Sequence, residues 1–170
     1  MTIRPISKII FKNLMNRKSG SGTFTPHLSS IVRPSSFHFK SALNVRYIDA
    51  GGGQDCANEL LAAFGPDYDL ERLGVRLVAS PRHADVLLVS GCVTSKMDDP
   101  LRLTYEAIPN PKVVIAFGDA AITGGYFLGT NRNIGPVSAV IPVHHSIVGD
   151  PPSASSIVEF FNQLTQTRKC

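Results

Sequence analysis

From Asn44 onward, short apolar runs alternate with stretches of helical periodicity. The runs are VRYID (45–49), VRLVA (75–79), VLLVSG (86–91), KVVIAFG (112–118) and SAVIPV (138–143). Runs of this kind, rich in Val, Ile and Leu, read as strands covered on both faces. Helical patterns begin near Cys56, Pro100 and Pro152. Strand–helix alternation predicts an α/β layered domain with a mostly parallel sheet and helices on both faces. In such domains ligands gather at the carboxyl ends of the strands. The turns to search are therefore Gly51–Cys56, Gly91–Lys96, Gly118–Gly125 and Gly149–Pro152.

The first 43 residues have another texture. Ile6, Ile9, Ile10 and Leu14 share one helical face, with Lys8, Lys12 and Arg17 elsewhere. Residues 19–36 are rich in Ser, Gly, Thr and Pro and read as a linker. The organisation expected is a basic amphipathic arm and linker over 1–43, an α/β domain over 44–166 and a tail over 167–170. Such an arm suits an anionic membrane surface or an acidic partner. A disordered tail and an organellar transit peptide are the alternatives.

Charge sharpens this division. Residues 1–48 hold eight Lys or Arg and no acidic residue; the rest holds nine basic and 13 acidic residues. The domain is thus net negative, which speaks against a nucleic-acid partner. No apolar run is long enough for a transmembrane helix. Three cysteines, Cys56, Cys92 and Cys170, with no CxxC pair, do not make a disulfide framework. A reducing compartment is the simplest reading.

The stretch GGGQDCANELL (51–61) invites three tests. A phosphate loop needs Gly-Lys-Ser/Thr at its end, and a dinucleotide turn needs a third glycine. Neither is present. A thioredoxin-type pair needs a second cysteine at position 53, where glycine stands. Cys56 reads first as a helix-start residue that fills space; an acidic Cys56 is the alternative expectation, because a helix N-terminus favours the thiolate.

Residues 45–161 resemble a known family. It is the small electron-transfer subunit shared by energy-converting nickel-iron hydrogenases, formate hydrogenlyase and respiratory complex I, where it is the 20 kDa or B-type subunit. The resemblance rests on four segments: RYIDAGGGQDCANELLAA, YDLERLGVRLVASPRHADVLLVSGCVTSKM, RLTYEAIPNPKVVIAFGDAAITGGYF and AVIPVHHSIVGDPPSA. It is nearer to the hydrogenase branch, and it implies a flavodoxin-like layered domain. In the family, four cysteines in such turns, the first two in one Cys-x-x-Cys turn, hold one 4Fe-4S cluster, because such clusters need soft anionic ligands. The ligand positions fall on Gly53, Cys56, Ala120 and Asp150. One thiol and one carboxylate remain, so the resemblance implies a site without its cofactor. The resemblance also gives Glu59, Arg82, His83, Lys96 and Met97 as partner or coupling residues, with no catalytic residue. A structural loop held by Asp85 is the reading preferred for Arg82 and His83.

The implied role is a cluster-free scaffold or coupling subunit of a membrane-associated hydrogenase-like or complex-I-like assembly. Implied partners are a large subunit of the nickel-iron hydrogenase or 49 kDa type, membrane antiporter-like subunits and, through the arm, a membrane surface. The implied location is peripheral, on the cytoplasmic face of the inner membrane, or on the mitochondrial matrix side if the arm is a transit peptide. One alternative is an electron-transfer subunit whose cluster is altered or completed by a partner. Another is a small-ligand or zinc site built from Cys56, Cys92, His144 and the aspartates Asp55, Asp119 and Asp150. Against zinc, Cys92 reads as a small buried apolar residue.

Overall fold

A computed structural model of the chain describes residues 42–166. The arm before residue 42, including the amphipathic face expected there, and the tail with Cys170 lie outside the described residues. Five parallel strands make the main sheet: β1 (Leu43–Asp49), β2 (Val75–Leu77), β3 (Val86–Ser90), β5 (Val113–Phe117) and β7 (His145–Ile147). Their order is β2-β1-β3-β5-β7, with every pairing parallel. This is the flavodoxin-like order, and its reversal point lies between β1 and β3. A two-stranded antiparallel ribbon, β4 (Val93–Thr94) with β6 (Asn133–Gly135), lies apart from the sheet.

The central strands explain the apolar runs. Every residue of VLLVS in β3 and VVIAF in β5 is buried. Val86, Leu88, Val113, Ile115 and Phe117 face one core, where Leu60 of α1 (Asp55–Ala63) and Ile157 and Phe161 of α4 (Ala154–Gln166) pack on them. Leu87, Val89, Val114 and Ala116 face the other core. Leu101 of α2 (Asp98–Ala107) and Ala121 of α3 (Asp119–Thr123) close that side. Helices thus cover both faces, as the pattern predicts. The α2 start matches its sequence, with Asp98 and Asp99 in the first turn and Arg102 Nε 2.7 Å from Asp98 Oδ1.

The last strand is not where the apolar run predicts it. SAVIPV forms part of a 3-10 turn (Val137–Ala139) and an irregular stretch that buries Val137, Val140 and Ile141 in the second core. Pro142 has no N–H to give a ladder. The strand is instead the polar HSI of β7, which is an edge and keeps Ser146 exposed. Immediately before it, the His144 amide donates to Val114 O (2.9 Å) and the Val114 amide donates to His144 Nδ1 (3.0 Å). His145 is buried edge-on against Phe160, ring centroids 6.1 Å apart.

Candidate functional site

Four turns leave the carboxyl ends of β1, β3, β5 and β7 and meet. The first, after β1, is shaped by Asp49, whose Oδ1 accepts hydrogen bonds from the amides of Gly51 (3.0 Å) and Gly52 (2.7 Å). An aspartate that bonds its own following backbone is a turn device. The second turn presses against the first. Gly91 has φ +73°, and a Cβ there stands 2.1 Å from Gly52 N. A Cβ on Gly51 stands 2.7 Å from Cys92 O. Direct backbone approach therefore explains these glycines, without any phosphate. Thr94 ties the same two turns: its amide and Oγ1 both donate to Ala50 O, at 3.1 and 3.2 Å.

The third and fourth turns are joined by Asp119. Its amide donates to Gly149 O (2.9 Å), and its Oδ1 accepts from the Gly149 amide (2.9 Å). Gly53 and Cys56 from the first turn, Ala120 from the third and Asp150 from the fourth then line a single cleft above the buried Ser90 and Phe117. The cleft holds about 30 Å³, room for about two waters. That is far below the size of an ordinary small-molecule pocket.

The cleft is acidic and its thiol is protonated at neutral pH. Burial pushes the Cys56 thiol up to about 11, aided by Asp150, Asp55, Asp49 and Asp119 in that order. The expectation of an acidic Cys56 is overturned: partial desolvation and four carboxylates outweigh the helix N-terminus. A Cβ on Gly53 comes 3.1 Å from Asp55 Oδ2, and one on Gly118 comes 3.1 Å from Cys56 Sγ.

A four-iron cluster does not fit this donor set. Gly53 and Ala120 supply no donor, and the remaining pair is one thiol and one carboxylate, two donors where four are needed. Among the described residues no group of three or more His, Cys, Asp and Glu is placed to hold a metal ion. Cys92 is 5% exposed and its Sγ points at Gly51 O (3.6 Å), outside the cleft lining. His144 is engaged with Val114. The zinc set considered from sequence is thus not assembled.

The remaining expected residues divide between the two ends of the sheet. Glu59, one turn after Cys56 on α1, accepts a hydrogen bond from the Ala154 amide at Oε2 (2.9 Å) and so caps α4. Lys96 is exposed after β4, and Met97 is half-buried on the second core at the start of α2. Arg82 and His83 are exposed in a 3-10 turn (Pro81–His83) that precedes β3, so they lie at the opposite end from the cleft. What holds that end is Asp85, whose Oδ2 accepts from the Asn44 amide (3.0 Å). Sequence reasoning did not pick out Asp49 and Thr94, although an aspartate before a glycine pair is a recognisable turn signal.

Four strand-end turns of a flavodoxin-like sheet thus converge on one cleft. The chain belongs to the family of the NADH ubiquinone oxidoreductase 20 kDa subunit, whose pattern matches residues 54–164. It is 41% identical over 114 residues to a probable membrane-bound hydrogenase subunit, mbhJ, of Pyrococcus furiosus, covering 67% of this chain and 68% of that one. It is 35% identical over 154 residues to formate hydrogenlyase subunit 7 of Escherichia coli, covering 88% of this chain and 60% of that one. Among solved structures it is similar to a chain of the membrane-bound sulfane sulfur reductase, an archaeal respiratory membrane complex. There the TM-score is 0.65 at 30% identity, covering 76% of this chain and 72% of the other. Among the described residues no helix is long and apolar enough to cross a membrane.

Proposed function

We propose that this chain takes the small-subunit position in a membrane-associated, hydrogenase-like assembly and holds that position without an iron–sulfur cluster. Its work is to keep the shape of the docking edge against a large subunit, and to couple that edge to the rest of the assembly, without carrying electrons. The observation that carries this reading is the cleft itself. Its four turns converge as a ligand socket does, yet they bring together one thiol, one carboxylate and two positions without a donor. Kinship with subunits of hydrogenase and formate hydrogenlyase supports the assembly. The partners that follow are a large subunit of the nickel-iron hydrogenase type and membrane subunits, with this chain peripheral to the membrane. The test is co-purification from membranes, with iron counted for each subunit and low-temperature spin resonance after reduction. We expect a stable complex in which this chain contributes no iron. Two or more irons assigned to this chain, with a tetranuclear signal, would return it to electron transfer.

A further inference from the structure

The ligand positions sit on three of the four turns, and the chain ties all four turns together with its own hydrogen bonds. The first and second turns are tied by Thr94 to Ala50 and by Cys92 Sγ to Gly51 O. The third and fourth are tied by the two-way contact of Asp119 with Gly149. One link remains to join these halves. The Glu59 carboxylate provides it, from the helix that follows the first turn to the Ala154 amide that ends the fourth, across 95 residues of sequence. The four turns then form one continuous set: second to first by backbone contact, first to fourth by Glu59, fourth to third by Asp119.

We propose that Glu59 and Asp119 are positioning residues that hold the four-turn socket closed, so that the cleft keeps its shape in the metal-free chain. Glu59 is then an internal strut, not a group that passes protons to a partner. Both residues use a carboxylate oxygen to accept a backbone N–H, the stronger, charge-assisted form of the bond. Each accepts from the flank of the same short segment, Gly149 to Ala154, which carries the Asp150 position. Loss of either strut therefore loosens the segment that the other also holds. A residue that only capped its own helix would not have this reach. The inference rests on the cluster-free reading above.

The experiment is amide hydrogen exchange on the full-length purified chain, resolved at Gly149 and Ala154, for wild type, E59A, E59Q, D119A and D119N. We expect E59A to speed exchange at the Gly149 amide, which Glu59 does not touch, about tenfold. We expect D119A to do the same at Ala154. The amide variants E59Q and D119N keep an acceptor oxygen and should restore most of the protection. If either alanine variant does not fold, the other reports the same coupling from its own side, and the two amide variants give the graded reading. Changes confined to the one amide each carboxylate binds would overturn the proposal. Iron analysis of the same wild-type sample separates the two failures. Iron in the chain sinks the cluster-free reading, whereas an iron-free chain with uncoupled amides sinks only the strut.

Discussion

The two ends of the parallel sheet solve the same problem by different means. At the amino end, Asp85 stitches neighbouring strands: its Oδ2 and amide engage Asn44, and its carbonyl accepts from Val113. These bonds extend a ladder that already exists. At the carboxyl end, Asp119 carries the β5–β7 ladder on to Gly149, whereas Glu59 joins two helices that share no ladder and lie 95 residues apart. The amino end carries the exposed Arg82 and His83 on a loop; the carboxyl end carries glycines pressed backbone to backbone. The difference teaches where the shape of the cleft is encoded. It is written in aspartates and glycines that act on the backbone. The four donor positions stand beside that machinery and are not part of it, so donors can change while the turns stay.

The largest effect should come from restoring the donors. With Gly53→Cys, Ala120→Cys and Asp150→Cys added to Cys56, the cleft would present four thiolates. The only obstacle at position 53 is the free end of Asp55, 3.1 Å from a new Cβ and able to turn aside. Incubation of the triple variant with iron and sulfide should give a visible iron–sulfur absorption and about four irons per chain, the content of the cluster. Wild type should give neither. A triple variant that folds and takes up no iron would mean that the turns have drifted out of ligand geometry, and the comparison would fail.

Next in size is the reactivity of Cys56. With its thiol at about 11, the thiolate fraction at pH 8 is on the order of a hundredfold below that of a free cysteine. Alkylation by iodoacetamide, followed by mass spectrometry of the Cys56 peptide, should be slow at pH 8 and rise steeply above pH 9. Asp150→Asn removes the charge that raises the thiol most after burial itself and should speed the reaction at pH 8. A fast wild-type reaction at pH 7 would mean that the acidic cleft does not govern its thiol.

At the amino end the effects should be smaller and separable. Asp85→Ala leaves the Asn44 amide without its acceptor and should cost about 1–2 kcal/mol in denaturant unfolding. Arg82→Ala, on the exposed loop beside it, should stay within about 0.5 kcal/mol. Equal costs would show that the loop, and not the aspartate, holds that edge.

Much of this was legible before the fold was seen, and the reasons are physical. Strands β1, β3 and β5 stand out because parallel central strands are buried on both faces and write themselves as apolar runs. The same rule misplaces the last strand. An edge strand needs no apolar outer face, so HSI is silent, while VIPV is apolar because it covers the second core as irregular chain. The ribbon β4–β6 is too short to carry a period. At the site, the convergence of Gly53, Cys56, Ala120 and Asp150 could be expected from their places at strand ends. The raised Cys56 could not, because sequence shows a helix N-terminus but not which four carboxylates gather around it. Glu59 shows the same limit: its position on α1 was readable, whereas its partner depends on how α1 and α4 cross.

The smallest predicted effect sits at the edge strand, between the two ends. Burial, then the neighbouring His144, lowers the His145 imidazole below its ordinary value. His145 lies on β7 with Phe160 against its ring, and a proton there must be carried in a partly dry site. The unfolded chain takes up that proton near pH 6.5, while the folded chain does so only at lower pH. Between those values the unfolded state binds more protons, so stability rises with pH. The contribution is complete above about 6.5 and is lost as pH falls through the unfolded value toward the folded one. For one site the slope cannot exceed about 1.4 kcal/mol per pH unit. Urea midpoints measured from pH 7.5 down to 5 should therefore fall in wild type and fall less in His145→Gln. Asp85→Ala should lower every midpoint in the series yet keep the wild-type slope. A His145→Gln series parallel to wild type would mean that His145 does not set the acid sensitivity, and the edge strand would then be the quieter of the regions compared.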